Sequence, residues 1–363
     1  MKVSTEILKN AVAKAVKGVG NNKLIPITSL MCIELKDNTL TLVTTDATNY
    51  LYVREDKISG DDFYVVVDAN VFSKLVSKMT CDTIEMTIDN YTLTVKGNGK
   101  YKIELPIDED GQLIKYPNPI ESFKMDSVCT VNKTTVQVIL DTIKPALAVT
   151  LENPCYTGYY AKDKILATDS FKIACLNFAK PWFDEAKLLR SEFLDLVSVV
   201  QNETINVYVD GNNVVFHTDD CDIYGSFMSD EIEQFNIEGI DGLVNLEFEH
   251  KCSVPKRELL QTLDRLSLFV GPYDQNTVYM TFTPQGLQLS SKAANSIETI
   301  NYLTSKDFTE YTCGIDIQMF MQEVKSISND AIEINYGDDS CIKMTDGNIT
   351  IIVALIDDES EDE

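Results

Sequence analysis

A strand–turn–strand pattern recurs along this chain at a spacing of about 122 residues, and a repeat of that length constrains the architecture before any other feature is read. The clearest copy is Leu166-Ala-Thr-Asp-Ser-Phe-Lys-Ile-Ala174. Thr168, Asp169 and Ser170 form its turn, because short polar side chains can hydrogen-bond their own backbone there. Ile165 and Leu166 lead in; Phe171, Ile173 and Leu176 lead out. Residues 39–53 repeat the pattern with Thr45-Asp46 at the turn, and residues 286–303 keep the strand–turn–strand shape without the Thr-Asp pair.

Within each repeat the periodicity runs helix, strands, helix, strands. The first predicts a helix over 4–17, with Ser4 as N-cap, Ile7, Leu8, Ala11, Val12, Ala15 and Val16 on one face, and Gly18 and Gly20 at its end. Strands are predicted at 28–35, 39–45, 48–54 and 63–67. A second helix over 69–79 has Asp68 as cap and Val71, Phe72, Leu75 and Val76 facing inward. Strands at 82–88, 91–96 and 100–105 close the unit, the first two meeting at Asp89-Asn90. A charged linker with two prolines follows at 107–123. The second pass has helices over 133–144 and 187–200 and strands at 156–161, 164–168, 171–178, 203–209, 213–218 and 221–227. Residues 228–243 read as an acidic, loop-like linker. The third pass has a strand at 244–249, a helix over 256–268 and strands at 277–283, 286–291 and 296–303. A helix over 316–327 and strands at 330–336, 340–345 and 348–356 complete it. Two helices on a mostly antiparallel sheet, three times over, is an α+β class. The domains divide as 1–121, 122–243 and 244–356, with an acidic tail at 357–363 read as disordered.

Composition narrows the chemistry. The nine cysteines include no CxxC and read as buried, reduced thiols of a cytoplasmic protein. With His217 and His250 as the two histidines, a zinc cluster is excluded and no metal or cofactor is expected. No nucleophile elbow supports a Ser-His-Asp triad. No run of 18 apolar residues marks a membrane span, and the N-terminus has no apolar signal core.

The net charge of −26 argues against nucleic-acid binding if it is spread evenly. It is not spread evenly. The six helix windows carry +2, +2, +1, 0, +1 and −1 in chain order, so the strands and loops hold the whole acid excess. A solvated helix face also carries lysine. The alternative is that all six helices face one polyanion while the outside repels it, which gives phosphate contact without base readout.

Three repeats of about 120 residues, the Ala167-Thr168-Asp169 hairpin and the Met-Lys-Val start resemble the bacterial DNA polymerase III beta subunit, the DNA sliding clamp. Leu24-Ile25-Pro26-Ile27, Thr39-Leu40-Thr41-Leu42 through Thr45-Asp46, Ala331-Ile332-Glu333-Ile334 and Ile349-Thr350-Ile351-Ile352-Val353 also match, and the divergence suits a phage-encoded member. The resemblance implies three clamp domains per chain, closed into a ring by head-to-tail dimerisation, with twelve helices lining the pore. It implies a processivity factor with no catalysis of its own. Its partners would be duplex DNA bound without sequence preference, a replicative polymerase, a clamp loader and a second copy of itself, with no membrane. Two other readings stand beside it. One is an acidic enzyme using a carboxylate pair, Asp219/Asp220 or Asp338/Asp339, although adjacent residues of a strand point to opposite faces. The other is a scaffold that binds no DNA.

On this reading Lys9, Lys14, Lys17, Lys74, Lys78, Lys133, Lys144, Arg257 and Arg265, with Lys23 on a nearby loop, form an inner positive surface. Tyr101, Ile103, Phe269 and Val270 form the dimer interface. Tyr156, Thr168, Ser170, Phe171, Lys172, Ile173, Ile352, Ala354 and Ile356 form a pocket for partner peptides of the Gln-Leu-x-Leu-Phe type. Ile173 and Ile352 also read as plain core residues. Lys172 is expected as a cationic lip favouring an acidic or polar flank, and the tail as a screen against acidic peptides. The sequence departs from the family at Ser170-Phe171-Lys172-Ile173, where Gly-His-Arg-Leu is usual, and at Glu233-Gln234-Phe235-Asn236-Ile237, which lacks the usual Phe-Pro.

Overall fold

The computed structural model describes residues 1–291, 296–304, 310–338 and 340–356. Asp339 and the acidic tail 357–363 lie outside the described residues, as does part of the third hairpin.

One motif, a strand, a helix and then three strands, recurs six times among the described residues. It first appears as β1 (Lys2–Ser4), α1 (Thr5–Ala15), β2 (Leu30–Lys36), β3 (Thr39–Thr45) and β4 (Tyr50–Glu55). It continues as β5 (Phe63–Asp68), α2 (Ala69–Ser77), β6 (Thr83–Asp89), β7 (Thr92–Lys96) and β8 (Lys100–Glu104). The third copy is β9 (Ser127–Asn132), α3 (Lys133–Val138), β10 (Gly158–Ala161), β11 (Lys164–Thr168) and β12 (Lys172–Asn177). The fourth is β13 (Lys187–Arg190), α4 (Ser191–Asp195), β14 (Thr204–Asp210), β15 (Asn213–His217) and β16 (Cys221–Ser226). A separate helix, α5 (Ile237–Val244), precedes the fifth copy: β17 (His250–Pro255), α6 (Lys256–Leu266), β18 (Thr277–Thr283), β19 (Gly286–Ser291) and β20 (Ile297–Ile300), followed by the short β21 (Leu303–Thr304). The last is β22 (Tyr311–Asp316), α7 (Ile317–Ser326), β23 (Ala331–Tyr336), β24 (Cys341–Asp346) and β25 (Ile349–Ala354).

Neighbouring copies exchange their first strands. β1 pairs with β6 and β5 with β2; β9 pairs with β14 and β13 with β10; β17 pairs with β23 and β22 with β18, all antiparallel. Four-stranded sheets of this kind then join last strand to last strand. β4 pairs with β16, giving the eight-stranded order β5-β2-β3-β4-β16-β15-β14-β9. β12 pairs with β25, giving β13-β10-β11-β12-β25-β24-β23-β17-β21. Because these sheets run through the joints, the compact units cut across the sequence repeats. The first unit is Met1–Val136 with Glu192–Phe227, and the second is Gln137–Ser191 with Met228–Glu363.

Local chemistry explains most elements. On α1, Leu8, Ala11, Val12 and Ala15 are buried at helical spacing. Asp68 caps α2 by accepting from Val71 N at 2.7 Å. Ser4 does not cap α1 with its side chain; the leading Thr5 N–H instead donates to Asp82 O at 3.0 Å, because β1 pairs with β6 beside it. Gly18 ends the helix by allowing close approach: an added Cβ would lie 2.5 Å from Thr44 Oγ1, which donates to the Ala15 carbonyl.

Several sequence expectations change. Val71 is exposed on α2. The helix expected over 133–144 is α-helical only to Val138, then a π turn at Ile139–Ile143 and a 3₁₀ turn at Lys144–Ala146. The helix expected over 187–200 opens as strand β13, because Leu188 and Leu189 are drawn into pairing with β10 at Gly158–Ala161, and only Ser191–Asp195 is α-helical. The loop-like linker 228–243 holds most of α5, and the strand expected at 244–249 lies at His250–Pro255. The short strands β1, β9, β13 and β22 had no sequence signal strong enough to read.

Candidate partner-binding cleft and nucleic-acid interface

The Thr-Asp hairpins of the first two repeats fold into the same hydrogen-bonded turn. Thr45 Oγ1 donates to Asn49 O at 2.6 Å, and Thr168 Oγ1 to Lys172 O at 2.8 Å. Ala47 N donates to Thr45 Oγ1, as Ser170 N does to Thr168 Oγ1. Asp46 Oδ1 accepts from Thr48 N and Asn49 N, as Asp169 Oδ1 does from Phe171 N and Lys172 N. The third turn residue is left-handed in both, with φ of 88° at Ala47 and 82° at Ser170. The Thr and Asp side chains therefore build the turn, which is why they recur.

In the second unit the hairpin forms one wall of a cleft of about 890 Å³. The loop after Pro145 and the first turns of α7 form the rest. Asp316 caps α7 by accepting from Gln318 N and Met319 N at 2.8 and 2.9 Å. Phe171 and Val149 stand exposed at the cleft. In the first unit the corresponding elements enclose a smaller cleft of about 360 Å³, lined by Lys17, Gly18, Asp46 and Glu192 among others.

Lys172 does not form the expected cationic lip. Its side chain is buried, and Nζ donates to Pro145 O and to Gln322 Oε1 at 3.1 Å. It lies 3.2 Å from Glu323 Oε1 and 3.8 Å from Asp169 Oδ2. The Glu323 carboxylate is fully buried, with the Lys172 ammonium as its close partner. Burial pushes the Glu323 carboxyl up to about 7, and Lys172 offsets only part of that rise. No local pattern marks Glu323, an acidic residue on the buried face of α7.

The other expected pocket residues separate into two groups. Ser170, Phe171 and Lys172 line the cleft. Ile173 and Ile352 face each other across the β12–β25 joint and belong to a buried apolar cluster with Tyr160, Phe235, Ile240 and Val244, against which Tyr156 packs. The Phe235 ring lies 5.4 Å from both Tyr156 and Tyr160. Thr168 is a buried turn residue. Ala354 N donates to Phe171 O at 2.8 Å, and Ile356 pairs with Gly314. Phe235, Ile240 and Val244 were missed; the spacing of Ile237, Ile240 and Val244 was the available signal for α5.

The expected cations differ in exposure, and two of them are held by named carboxylates. Lys17, Lys23, Lys74, Lys78 and Arg257 are exposed; Lys9, Lys133 and Lys144 are half-buried. Lys14 is paired with Asp220 at 2.9 Å. Arg265 holds Glu298 through Nε at 2.8 Å and a second bond from Nη2. Nearby, Asp222 is buried between Arg54 and His217, whose Nδ1 lies 2.6 Å from it. Burial alone would raise this carboxyl, but the hydrogen bonds from His217 and Arg54 outweigh it and hold it below the usual range.

In each carboxylate pair of the enzyme reading one member is already engaged. Asp220 is occupied by Lys14 and Thr218. Asp338 accepts from Ser340, which lowers its pKa, and Asp339 lies outside the described residues. The cysteines carry no disulfide. Burial raises the thiols of Cys32, Cys175, Cys252 and Cys313 to about 12, which makes them poor nucleophiles. Among the described residues no cluster of potential metal ligands occurs, and no helix is long and apolar enough to cross a membrane.

Of the expected interface, Tyr101 is exposed on β8 and Ile103, two positions on and on the same side of the strand, is buried. Phe269 is exposed and Val270 half-buried.

This arrangement of strand-exchanged, end-joined α+β modules is the fold of the DNA sliding clamps. The chain is similar to the DNA polymerase sliding clamp of Bacillus subtilis, at 16% identity over 98% of both chains with a TM-score of 0.85. It is similar to the DNA polymerase beta subunit of Streptococcus pyogenes, at 15% identity over 98% of this chain and 99% of that one, TM-score 0.86. The DNA polymerase III beta subunit of Thermotoga maritima superposes at 18% identity over 98% of both chains, TM-score 0.82. Within that fold, residues 1–113 match the family model described as DNA polymerase III beta subunit, N-terminal domain. No curated protein matches the sequence.

Proposed function

We propose that this chain is a DNA sliding clamp, a processivity factor without catalysis of its own. It would encircle duplex DNA and hold a replicative polymerase and a clamp loader through short peptide segments. The observation that carries this reading is the state of the last strands. Four of them are consumed in the β4–β16 and β12–β25 joints, and β8 and β20 are left as sheet edges. An open edge presents unpaired N–H and C=O groups. A β8–β20 pairing between two copies would repeat the same joint and close head to tail. Domains at 1–121, 122–243 and 244–356 follow on this reading, each made of one strand-exchanged pair of modules.

Tyr101 and the β8 backbone, with Phe269 and Val270, form the interface in this proposal, while Ile103 is buried in the chain's own core. The exposed cations on α2, on α6 and in the turn after α1 would meet phosphates, and the acid excess elsewhere would keep DNA from the outer surface. The unit-two cleft, with its exposed Phe171, would take the partner peptide.

Sedimentation of the purified chain tests assembly: a dimer near twice 40.7 kDa is expected, and Phe269→Ala/Val270→Ala should shift it to monomer. Primer extension with a cognate polymerase and loader tests function. Lys17→Glu/Lys74→Glu/Lys78→Glu, at exposed positions, should shorten products while the thermal melt is retained. A wild-type monomer at micromolar concentration, or full processivity in the triple variant, overturns the reading.

A further inference from the structure

We propose that the unit-two cleft selects partner segments whose apolar anchor is flanked by Lys or Arg; this rests on the cleft being the peptide-docking site. The apolar half of the recognition is on the surface. Phe171 is 63% and Val149 98% exposed, an unusual state for large apolar side chains at the wall of a concavity.

The polar half comes from which charges remain available. Five ionisable side chains line the cleft: Glu152, Asp169, Asp316, Lys172 and Lys325. Lys172 is 5% exposed, and its ammonium is held by Glu323, Gln322 and the Pro145 carbonyl. It is a positioning residue that ties the hairpin to α7 and offers nothing to a ligand. Of the three carboxylates, Asp169 lies 3.8 Å from the buried Lys172 ammonium, which leaves Glu152 and Asp316 against a single exposed ammonium, Lys325. Two of the three are fixed by the backbone. Asp169 is held by the turn it builds and Asp316 by the helix it caps. A segment carrying basic residues beside its anchor meets this charge with little reorganisation, and an acidic one is repelled.

The chain's net charge of −26 would draw basic peptides anywhere, so the test must separate the cleft from the overall field. Three fluorescein-labelled peptides share the core Leu-Ser-Leu-Phe and differ in a preceding Lys-Lys, Ser-Ser or Glu-Glu. Anisotropy titrations use the full chain at 50 mM salt as wild type, Glu152→Gln/Asp316→Asn, Asp61→Asn/Asp62→Asn and Phe171→Ala. The second double variant removes equal charge from an exposed loop of the first unit. The expected result is about tenfold tighter binding of the Lys-Lys than of the Glu-Glu peptide, as two partly screened charge pairs give. That ratio should fall below about threefold in Glu152→Gln/Asp316→Asn and persist in Asp61→Asn/Asp62→Asn. Phe171→Ala should weaken all three peptides.

If no peptide binds the wild type, the docking reading fails and the selection with it. If the peptides bind but the acidic one equals or exceeds the basic, the docking site stands and the selection is wrong. A ratio that survives in Glu152→Gln/Asp316→Asn assigns the preference to net charge and overturns it. Binding indifferent to Phe171→Ala places the peptide elsewhere and overturns it as well.

Discussion

Replacing Glu323 with Gln should stabilise this protein at alkaline pH, although it deletes one partner of a buried ion pair. Losing such a partner ordinarily costs about 3–5 kcal/mol, because the other charge is left stranded. Here the stranded group is Lys172, which keeps the Pro145 carbonyl, Gln322 Oε1 at 3.1 Å and Asp169 at 3.8 Å. Glu323 itself is worse off, with a fully buried carboxylate whose pKa is raised from 4.5 to about 7 despite Lys172. Between those values the folded chain keeps a proton that the unfolded chain has released. Stability therefore falls as pH rises from about 4.5 to about 7 and is flat, for this group, above that. At about 1.4 kcal/mol per pH unit the ionised form costs the fold about 3 kcal/mol. The neutral amide avoids this, so the variant should equal wild type near pH 4.5 and exceed it by about 2–3 kcal/mol at pH 8. Urea unfolding followed by the single tryptophan, Trp182, reports on the same compact unit. Subtracting the wild-type curve at each pH cancels the other carboxylates. Lys172→Met is the counterpart: it leaves Glu323 without its cation and should lose more stability at pH 8 than at pH 5. A Glu323→Gln difference that is flat with pH, or a loss of several kcal/mol at pH 8, would refute the reasoning.

Ser170→Gly should raise stability by about 1 kcal/mol in the same assay, since φ of 82° strains any residue with a Cβ. Gly225→Ala should lower the stability of the first unit by about 1–3 kcal/mol in urea unfolding followed by circular dichroism, because the new Cβ would lie 2.5 Å from Phe193 Cδ2 and 2.7 Å from Asn49 Oδ1. Asp220→Asn should release Lys14 for phosphate contact; filter binding to linear duplex should show a salt slope steeper by about one, and an unchanged slope would place Lys14 away from DNA.

The parts of the fold that were legible in the sequence are those held by neighbouring residues. The Thr-Asp turns, the Asp68 cap and the apolar faces of α1, α6 and α7 each depend on groups within a few positions of one another. The strands β1, β9, β13 and β22 were not legible, because a three- to six-residue strand exists only through a partner lying far along the chain. The same limit applies at the cleft. Phe171 and Ser170 could be placed from the turn alone. The fate of Lys172 is decided by Gln322 and Glu323, some 150 positions along the chain, and no local pattern announces a carboxylate that turns inward. Charge windows likewise located the cations but could not reveal that Asp220 and Glu298 had already claimed two of them.

The exchange of first strands has a consequence for synthesis on the ribosome. No five-element copy can complete its own sheet, so β2 waits for β5 and β6 already has β1 waiting for it; the pair must mature together. The joints demand longer patience. β4 is finished by residue 55 but finds its neighbour only when β16, Cys221–Ser226, emerges, and β12 must wait for β25, Ile349–Ala354. Through most of translation the nascent chain therefore carries naked strand edges, which invite pairing with other chains. Folding of so non-local a topology is slow. The growing chain meets its greatest hazard of misassembly just before its last strand arrives, when the β12 edge is fully formed and still alone.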